Sequence, residues 1–173
     1  MIRQIYEGKR VMVIAPHPDD ETLGVGGTIA NYSSKGAEVF VLIVSGHLPP
    51  LYSIEDYDKT ISEADSAFNI LGVSKSAFLE IPATMIDELP HRNVNDRISK
   101  IINEFAPHIV FCPYPDRHID HRLVFDSTMV ATRPVGVGRK IEILATYETL
   151  SETHWNAPHI EPNFTPNWVV DIS

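Results

Sequence analysis

The sequence has only one cysteine, Cys112, among its 173 residues. An intrachain disulfide is therefore excluded. Cys112 directly follows the apolar run Ile109–Phe111. We expect its thiol to be buried and inert, because free cysteines mostly behave as small apolar core residues.

Basic residues are also scarce, with 14 Lys and Arg against 23 Asp and Glu and a formal net charge of -9. Such an acidic surface repels phosphate backbones and anionic membranes, so neither is an expected partner. No stretch reaches the ~18 apolar residues that a membrane helix needs. The start, Met1–Arg10, leads only into the short apolar run Val11–Ala15, so we expect no signal peptide and a soluble, cytoplasmic protein.

The overall composition is that of a globular protein, with 43% hydrophobic and 21% charged residues. A chain of this length fits one domain of ordinary size. The sequence shows no internal repeat and no linker rich enough to divide it. We therefore expect residues 1–173 to form a single domain, with homo-oligomerisation left open.

Short apolar runs alternate with longer stretches that have helical spacing. Runs that are apolar throughout are typical of strands covered on both faces of a parallel sheet. We predict strands over Val11–Ala15, Glu38–Val44, Ala77–Ile81, Ile109–Cys112, Ile141–Tyr147 and Trp168–Ile172. We predict helices over Thr28–Lys35, Tyr57–Leu71, Asn93–Phe105 and Ile119–Thr132. This alternation predicts an α/β fold with a doubly wound, mostly parallel sheet and helices on both faces.

A dense polar cluster, Pro16–Glu21 (PHPDDE), follows the first predicted strand, where ligands bind in such folds. Its three carboxylates repel one another unless a cation lies nearby, and a divalent metal would supply that cation. His17 and Asp20 lie three residues apart across a turn and are suited to bind one ion together. Asp19 would stand beside it. The alternative, a helix N-cap formed by Asp19 or Asp20, leaves His17 unexplained.

A second polar cluster, Asp116–His121 (DRHIDH), follows the fourth predicted strand. If the chain is helical from Ile119, His118 and His121 are neighbours on one face. Both clusters then lie at the same edge of a parallel sheet and can converge. The alternative is a pair of surface histidines on a solvated helix.

Imidazole and carboxylate ligands suit zinc, with iron, manganese or cobalt as alternatives. We assign three ligands: His17, Asp20 and His121. A fourth position is left for water, whose pKa falls toward ~7 on zinc. Asp19 then acts as general base, and His118 stabilises the developing oxyanion or protonates the leaving amine. Asp120 would hold a histidine in its tautomer. The predicted reaction is metal-assisted amide hydrolysis.

The PHPDDE cluster, the following Gly26-Gly27 pair and the later D-x-H-x-D-H pattern resemble the zinc-dependent de-N-acetylases called PIG-L or LmbE-like. The resemblance extends from Val11 to about Asp171. It implies a Rossmann-like fold and removal of an N-acetyl group from an amino sugar or sugar conjugate. It also implies the zinc ligands and the general base assigned above, and it gives His118 the role of stabilising the tetrahedral intermediate.

The chain departs from this family at three places. Many relatives have a Thr-Asp-Gly-like turn after the second strand, where this chain has Ser45-Gly46-His47. Many carry an arginine before the residue that matches Glu63, where this chain has Lys59 and Thr60. Relatives usually continue with another helix beyond Asp171, so we expect either a natural short form or a truncated chain.

Candidate substrate contacts follow the strands at the same edge. The segment Tyr147–Trp155 carries Glu148, His154 and Trp155, and a tryptophan beside polar groups suits stacking on a sugar, with a core tryptophan as the alternative. Arg117 suits a substrate phosphate, although exposed arginines are common. His47 is the last candidate, with a plain loop residue as the alternative.

The expected partner is a small N-acetylated sugar or sugar conjugate. Two rival functions remain open at this point. One is a zinc amidase acting on a non-sugar N-acyl substrate, and the other is a catalytically silent metal- or sugar-binding module. Asp19 and His118 argue against the silent module, because binding alone needs neither a base nor an acid.

Overall fold

The computed structural model describes residues 6–155, 157, 160 and 162–173. Within this part of the chain, five strands form one sheet: β1 (Arg10–Ala15), β2 (Glu38–Gly46), β3 (Lys75–Pro82), β4 (Ile109–Pro113) and β5 (Ile143–Tyr147). Four α-helices accompany them: α1 (Asp20–Ser34), α2 (Ile54–Leu71), α3 (His91–Phe105) and α4 (Ile119–Ala131). Short 3-10 turns cover Ile86–Glu88, Gly136–Lys140 and Thr153–Trp155.

All the strands are parallel, in the order β3-β2-β1-β4-β5. The chain builds the sheet outward from β1 in one direction and then returns to add β4 on the other side of β1. Val11 pairs with Ile109 and Val13 with Phe111 across that junction. A crevice opens at such a reversal of strand order, beyond the carboxyl ends of the two strands, and ligands bind there. The predicted α/β fold with a doubly wound parallel sheet is confirmed.

Alternate residues of the strands feed two apolar layers, one on each face of the sheet. Val13 of β1 belongs to the layer that holds Ile29 of α1 and Phe68 of α2. Its neighbour Met12 belongs to the other layer, with Ile98 of α3. Both faces are therefore covered by helices, which explains why the central strands β1 and β4 are almost entirely apolar.

Helix α1 begins at Asp20, well before the predicted start at Thr28. The helix runs through the glycines near its start, and close packing explains two of them, Gly24 and Gly27. A Cβ on Gly24 would lie 2.4 Å from the Tyr147 ring, and only glycine fits there. The helix is kinked at Val25, where φ is -136°. Its early start places the polar cluster at the first turn.

Helix α2 also begins earlier than predicted, at Ile54. A reciprocal cap fixes this start: the Ser53 hydroxyl accepts a hydrogen bond from the Asp56 N–H, and the Asp56 carboxylate accepts one from the Ser53 N–H. Gly72, at φ 75°, ends the helix in the left-handed conformation that glycine adopts without strain.

The predicted strand over Trp168–Ile172 is wrong. Within the described range 162–173 the chain has no regular secondary structure. It runs instead along the face that carries α1: Trp168 stacks on Phe111 with ring centroids 5.9 Å apart, and Asn31 donates a hydrogen bond to the Asp171 carbonyl. Packing on the domain is only partial, since Trp168 and Ile172 contact it but stay 45% and 64% exposed and Val169 is 83% exposed. Strand formation would require pairing with a sheet edge, and the described part of this segment has none.

Among the described residues, none of the helices is both long enough and apolar enough to cross a membrane.

Candidate metal centre

The two polar clusters meet beyond the carboxyl ends of β1 and β4. The first cluster fills the turn from β1 into α1, and the second fills the turn from β4 into α4. These strands are direct neighbours in the sheet. The convergence that the sequence predicted therefore follows from the position of the strand-order reversal.

Three donor groups of these turns converge: those of His17, Asp20 and His121. The Asp20 Oδ2 lies 3.2 Å from His17 Nδ1 and 3.4 Å from His121 Nε2. The donor atoms all lie within 4.8 Å of one another, so one ion can contact the three. Asp20 and His121 are buried, with 4% and 1% of their surface exposed. Two imidazole nitrogens and one carboxylate oxygen suit a divalent metal.

Each of the two histidines has its own carboxylate partner on the side away from Asp20. His17 Nε2 lies 2.9 Å from the Oδ2 of Asp120, and His121 Nδ1 lies 2.9 Å from the Oδ2 of Asp116. Such pairs leave the other ring nitrogen free for a metal and fix the ring orientation. The sequence predicted that Asp120 holds a histidine in its tautomer, and the histidine that Asp120 contacts is His17.

The charges of these carboxylates dominate the titration of both histidines. Burial by itself lowers the pKa of His17, but hydrogen bonds to Asp120 and Asp20 raise it to about 9. For His121 burial acts in the same way, and Asp116 and Asp20 raise the pKa to about 9. Burial raises the pKa of Asp20, yet the two histidines hold it well below its ordinary value. Three buried carboxylates therefore create a strong local demand for positive charge.

A second group of donors, His17, His118 and Asp120, also lies within 4.8 Å. It shares His17 with the first group. The Asp120 Oδ2 already accepts hydrogen bonds from His17 and from the Thr84 N–H, at 2.9 and 2.8 Å. The first group fits a resident ion better, because its carboxylate lies between two imidazoles.

Asp19 lies beside the donors, with an exposed side chain. Protein atoms around the Asp19 carboxyl displace part of its water, and this desolvation, followed by the negative charge of Asp20, raises the pKa of Asp19. Its backbone has φ 142°, a strained conformation, and its N–H donates to the Glu21 carboxylate at 3.2 Å. Among the described residues, its side chain makes no capping hydrogen bond, so an N-cap does not account for it.

His118 occupies the N-cap position of α4, and its ring stacks on His121 with centroids 4.9 Å apart. Its Nδ1 accepts the N–H of Asp120 at 3.1 Å. A neutral ring therefore carries its proton on Nε2. Burial, and then the charges of His17 and His121, lower the pKa of His118 and favour that neutral form. The alternative of two solvated surface histidines is wrong for this pair, since His121 is 1% exposed.

The predicted substrate residues on the later strands form two exposed pairs. Arg117 lies over the Trp155 ring at 5.4 Å and pairs with Glu152 at 3.4 Å. His154 lies 2.7 Å from Glu148. Trp155 is 67% exposed, so the alternative of a core tryptophan is wrong. These side chains stand on the turns after β4 and β5, at the same edge of the sheet as the donor group.

The remaining predicted residue, His47, follows β2. It is half-buried, its Nδ1 lies 3.1 Å from the Thr60 hydroxyl, and its ring lies 4.3 Å from that of Tyr52. Because β2 is the parallel neighbour of β1, His47 lies at the same edge of the sheet as the turn that carries Asp19.

Three buried polar residues of the site had no predicted role: Glu21, Asp116 and Thr153. Asp116 and Glu21 belong to the two clusters, and their burial, 0% and 1% exposed, sets them apart from surface acids. The first aspartate of D-x-H-x-D-H was a usable signal for Asp116. Thr153 comes from the turn after β5, and no local pattern marks it.

Comparison with known proteins gives one family. The family model described as "PIG-L: GlcNAc-PI de-N-acetylase" matches residues 12–132. Diacetylchitobiose deacetylase of Thermococcus kodakarensis is 36% identical over an alignment of 131 residues that covers 66% of this chain and 45% of that protein. The 1D-myo-inositol 2-acetamido-2-deoxy-alpha-D-glucopyranoside deacetylase of Rhodococcus jostii is 29% identical, over 83% of this chain and 62% of that protein.

Solved structures show the same fold. The N,N'-diacetylchitobiose deacetylase of Pyrococcus horikoshii, in complex with its inhibitor MPG, superposes with a TM-score of 0.73 at 27% identity. The match covers 95% of this chain and 64% of that one. The chain thus spans about half to two thirds of the length of these relatives.

Proposed function

Because the chain belongs to the PIG-L family of GlcNAc-PI de-N-acetylases, we propose that it removes an N-acetyl group from an amino sugar or sugar conjugate with the help of zinc. The observation that carries the proposal is the convergence of His17, Asp20 and His121 within 4.8 Å, beside the exposed Asp19. The named relatives are deacetylases of acetylated sugars, which supports a substrate of the same class.

The metal would be held by His17 Nδ1, Asp20 Oδ2 and His121 Nε2. A bound zinc ion supplies Lewis acidity, which lowers the pKa of a water molecule and polarises the amide carbonyl. Asp120 and Asp116 keep the two imidazoles in the tautomers that present these nitrogens.

Asp19 is the general base. It accepts a proton from the attacking water as the water oxygen bonds to the acetyl carbon. The raised pKa of Asp19 brings its proton affinity closer to that of the reacting groups. The same carboxyl then delivers the proton to the amine nitrogen as the C–N bond breaks, so that acetate and a free amine result.

His118 stabilises the oxyanion. Its Nδ1 is occupied by the Asp120 N–H, so its Nε2–H is the group available to donate to the negatively charged oxygen. A neutral ring suits this role, and the lowered pKa keeps the ring neutral at pH 7. We prefer this role to protonation of the leaving amine, because a neutral imidazole is a weak acid.

The sugar is bound by the turns around the metal. Trp155 offers an exposed ring for stacking, with Arg117 on one side of it. Glu148 and His154 offer hydrogen-bonding groups for hydroxyls, and His47 does the same from the turn after β2.

The test is a screen for acetate release. The purified protein, reconstituted with one equivalent of zinc, is incubated with N-acetylglucosamine, diacetylchitobiose, an N-acetylglucosaminyl inositol and, for comparison, N-acetylated amines that carry no sugar. We expect release from at least one of them, loss of activity with a chelator and recovery when zinc is restored. Release only from non-sugar N-acyl compounds would instead support an amidase, and bound zinc with no release from any substrate would support a silent binding module.

A further inference from the structure

A buried threonine connects the turn after β5 to a metal ligand. Thr153 is 2% exposed, and its hydroxyl lies 3.0 Å from the Oδ2 of Asp116. The same oxygen lies 2.9 Å from the Nδ1 of His121. Two donors from different elements thus meet on one oxygen of Asp116.

The direction of the first bond is fixed by a second contact. The Thr153 oxygen accepts the N–H of Thr149 at 2.8 Å. Asp116 is a carboxylate and can only accept, so the hydroxyl proton of Thr153 must point to it. The chain of bonds therefore runs in one sense, from the Thr149 N–H through Thr153 to Asp116.

The other oxygen of Asp116 is also engaged, because its Oδ1 accepts the N–H of His118 at 2.9 Å. Arg122 in addition donates from its guanidinium to the Asp116 carbonyl. The carboxylate is held on each side and has little freedom to rotate. The turn after β5 is tied to this fixed group through the Thr153 hydroxyl.

We propose that Thr153 is a positioning residue, which acts through Asp116 on the orientation of the His121 imidazole and thereby sets the metal affinity of the site. This inference rests on the metal centre of the proposed function. The turn that carries the sugar-binding candidates Glu148, His154 and Trp155 is thus anchored on the partner of a metal ligand. Metal affinity and the position of this turn depend on the same hydroxyl.

Replacement of Thr153 by valine tests the proposal, because valine keeps the shape and removes only the hydroxyl. The loss of a histidine's carboxylate partner typically weakens metal binding 10- to 100-fold. Thr153 acts one bond further away, so we expect the zinc Kd to rise by about tenfold, at the lower end of that range. Zinc affinity is measured by competition with a chromophoric chelator, without any substrate.

Thr149→Val is the matched control. Thr149 lies in the same turn, is 1% exposed, and its hydroxyl has no hydrogen-bond partner among the residues that the structure describes. The same chemical change there should leave the zinc Kd unaltered. Thr153→Ser restores the hydroxyl and should restore the affinity. If Thr153→Val does not fold, Thr153→Ala takes its place in the comparison.

A second readout distinguishes positioning from general destabilisation. The visible spectrum of the cobalt-substituted protein reports on the ligand geometry, and we expect Thr153→Val to change it while Thr149→Val leaves it unchanged. Unaltered zinc affinity in Thr153→Val would overturn the proposal. Tighter zinc binding would overturn it as well, since Thr153 would then act only by withdrawing charge from Asp116. A parent protein that binds zinc but releases no acetate would refute the proposed function and leave this test intact.

Discussion

Replacement of Asp19 by asparagine separates catalysis from metal binding. Asparagine keeps the shape of the side chain and is among the residues that best tolerate a positive φ, which is 142° here. The substitution removes the proton acceptor and one negative charge. Asp19 contributes no donor atom to the group formed by His17, Asp20 and His121, so that group stays complete.

A positioned general base typically contributes 10²–10⁴ to the rate, which corresponds to about 2.7–5.4 kcal/mol in the activation barrier. The structure favours the upper half of this range. His118 is another candidate acceptor beside the donor group, but its Nδ1 already accepts the Asp120 N–H. Its Nε2 carries the proton of the neutral ring and has no lone pair with which to accept another. We therefore expect kcat to fall by at least about 10³.

Zinc content is the companion measurement. The Asp19 side chain is exposed, so salt and water screen its charge, and we expect the zinc Kd to rise by less than about tenfold. The acid limb of the kcat/KM profile, which reports Asp19, should disappear in the variant. Loss of zinc would identify Asp19 as a ligand, and full turnover with zinc bound would show that another group is the base. Either result would refute the reasoning.

Three further predictions concern other parts of the site. His121→Ala should strip the metal, and full zinc occupancy by elemental analysis would contradict its role as a ligand. Glu21→Gln weakens the group that accepts the Asp19 N–H and so helps to orient Asp19. Loss of a partner that orients a site residue typically costs 10- to 100-fold, so we expect kcat to fall about tenfold while the zinc content stays constant. In the metal-free protein, the carboxylate partners raise the pKa of His17 and of His121 to about 9. The folded state therefore binds these protons more tightly than the unfolded state, and the resulting stabilisation is fully present below pH 6.5 and is lost as the pH rises through 9. Urea unfolding with a chelator at pH 6.5 and 9.5 measures this, and higher stability at pH 9.5 would contradict it.

The strands of the sheet and their order along the chain could be predicted, because each strand is marked by its own short run of apolar residues. β1, β2 and β4 are mostly apolar, since helices cover both faces of the sheet, and they were predicted to within two residues at each end. The start of α1 was not predictable. Two glycines lie before the predicted start at Thr28 because of close packing: Gly24 lies against Tyr147 and Gly27 against Ile172, each more than a hundred positions away. The strand prediction for Trp168–Ile172 failed for a related reason, since Trp168 stacks on Phe111 and Ile172 lies against Gly27 of α1, and neither contact pairs the backbone with a strand.

For the site too, some features could be predicted from the sequence and others could not. The sequence by itself determined which groups follow β1 and β4, and hence the imidazoles and carboxylates available for a metal, because covalent order fixes the contents of a turn. Only the tertiary structure decided that His17 pairs with Asp120 and His121 with Asp116, and that Thr153 closes the chain of bonds from another strand. These pairings depend on distances between elements distant in sequence, and such distances are set by the packing of the whole sheet and its helices.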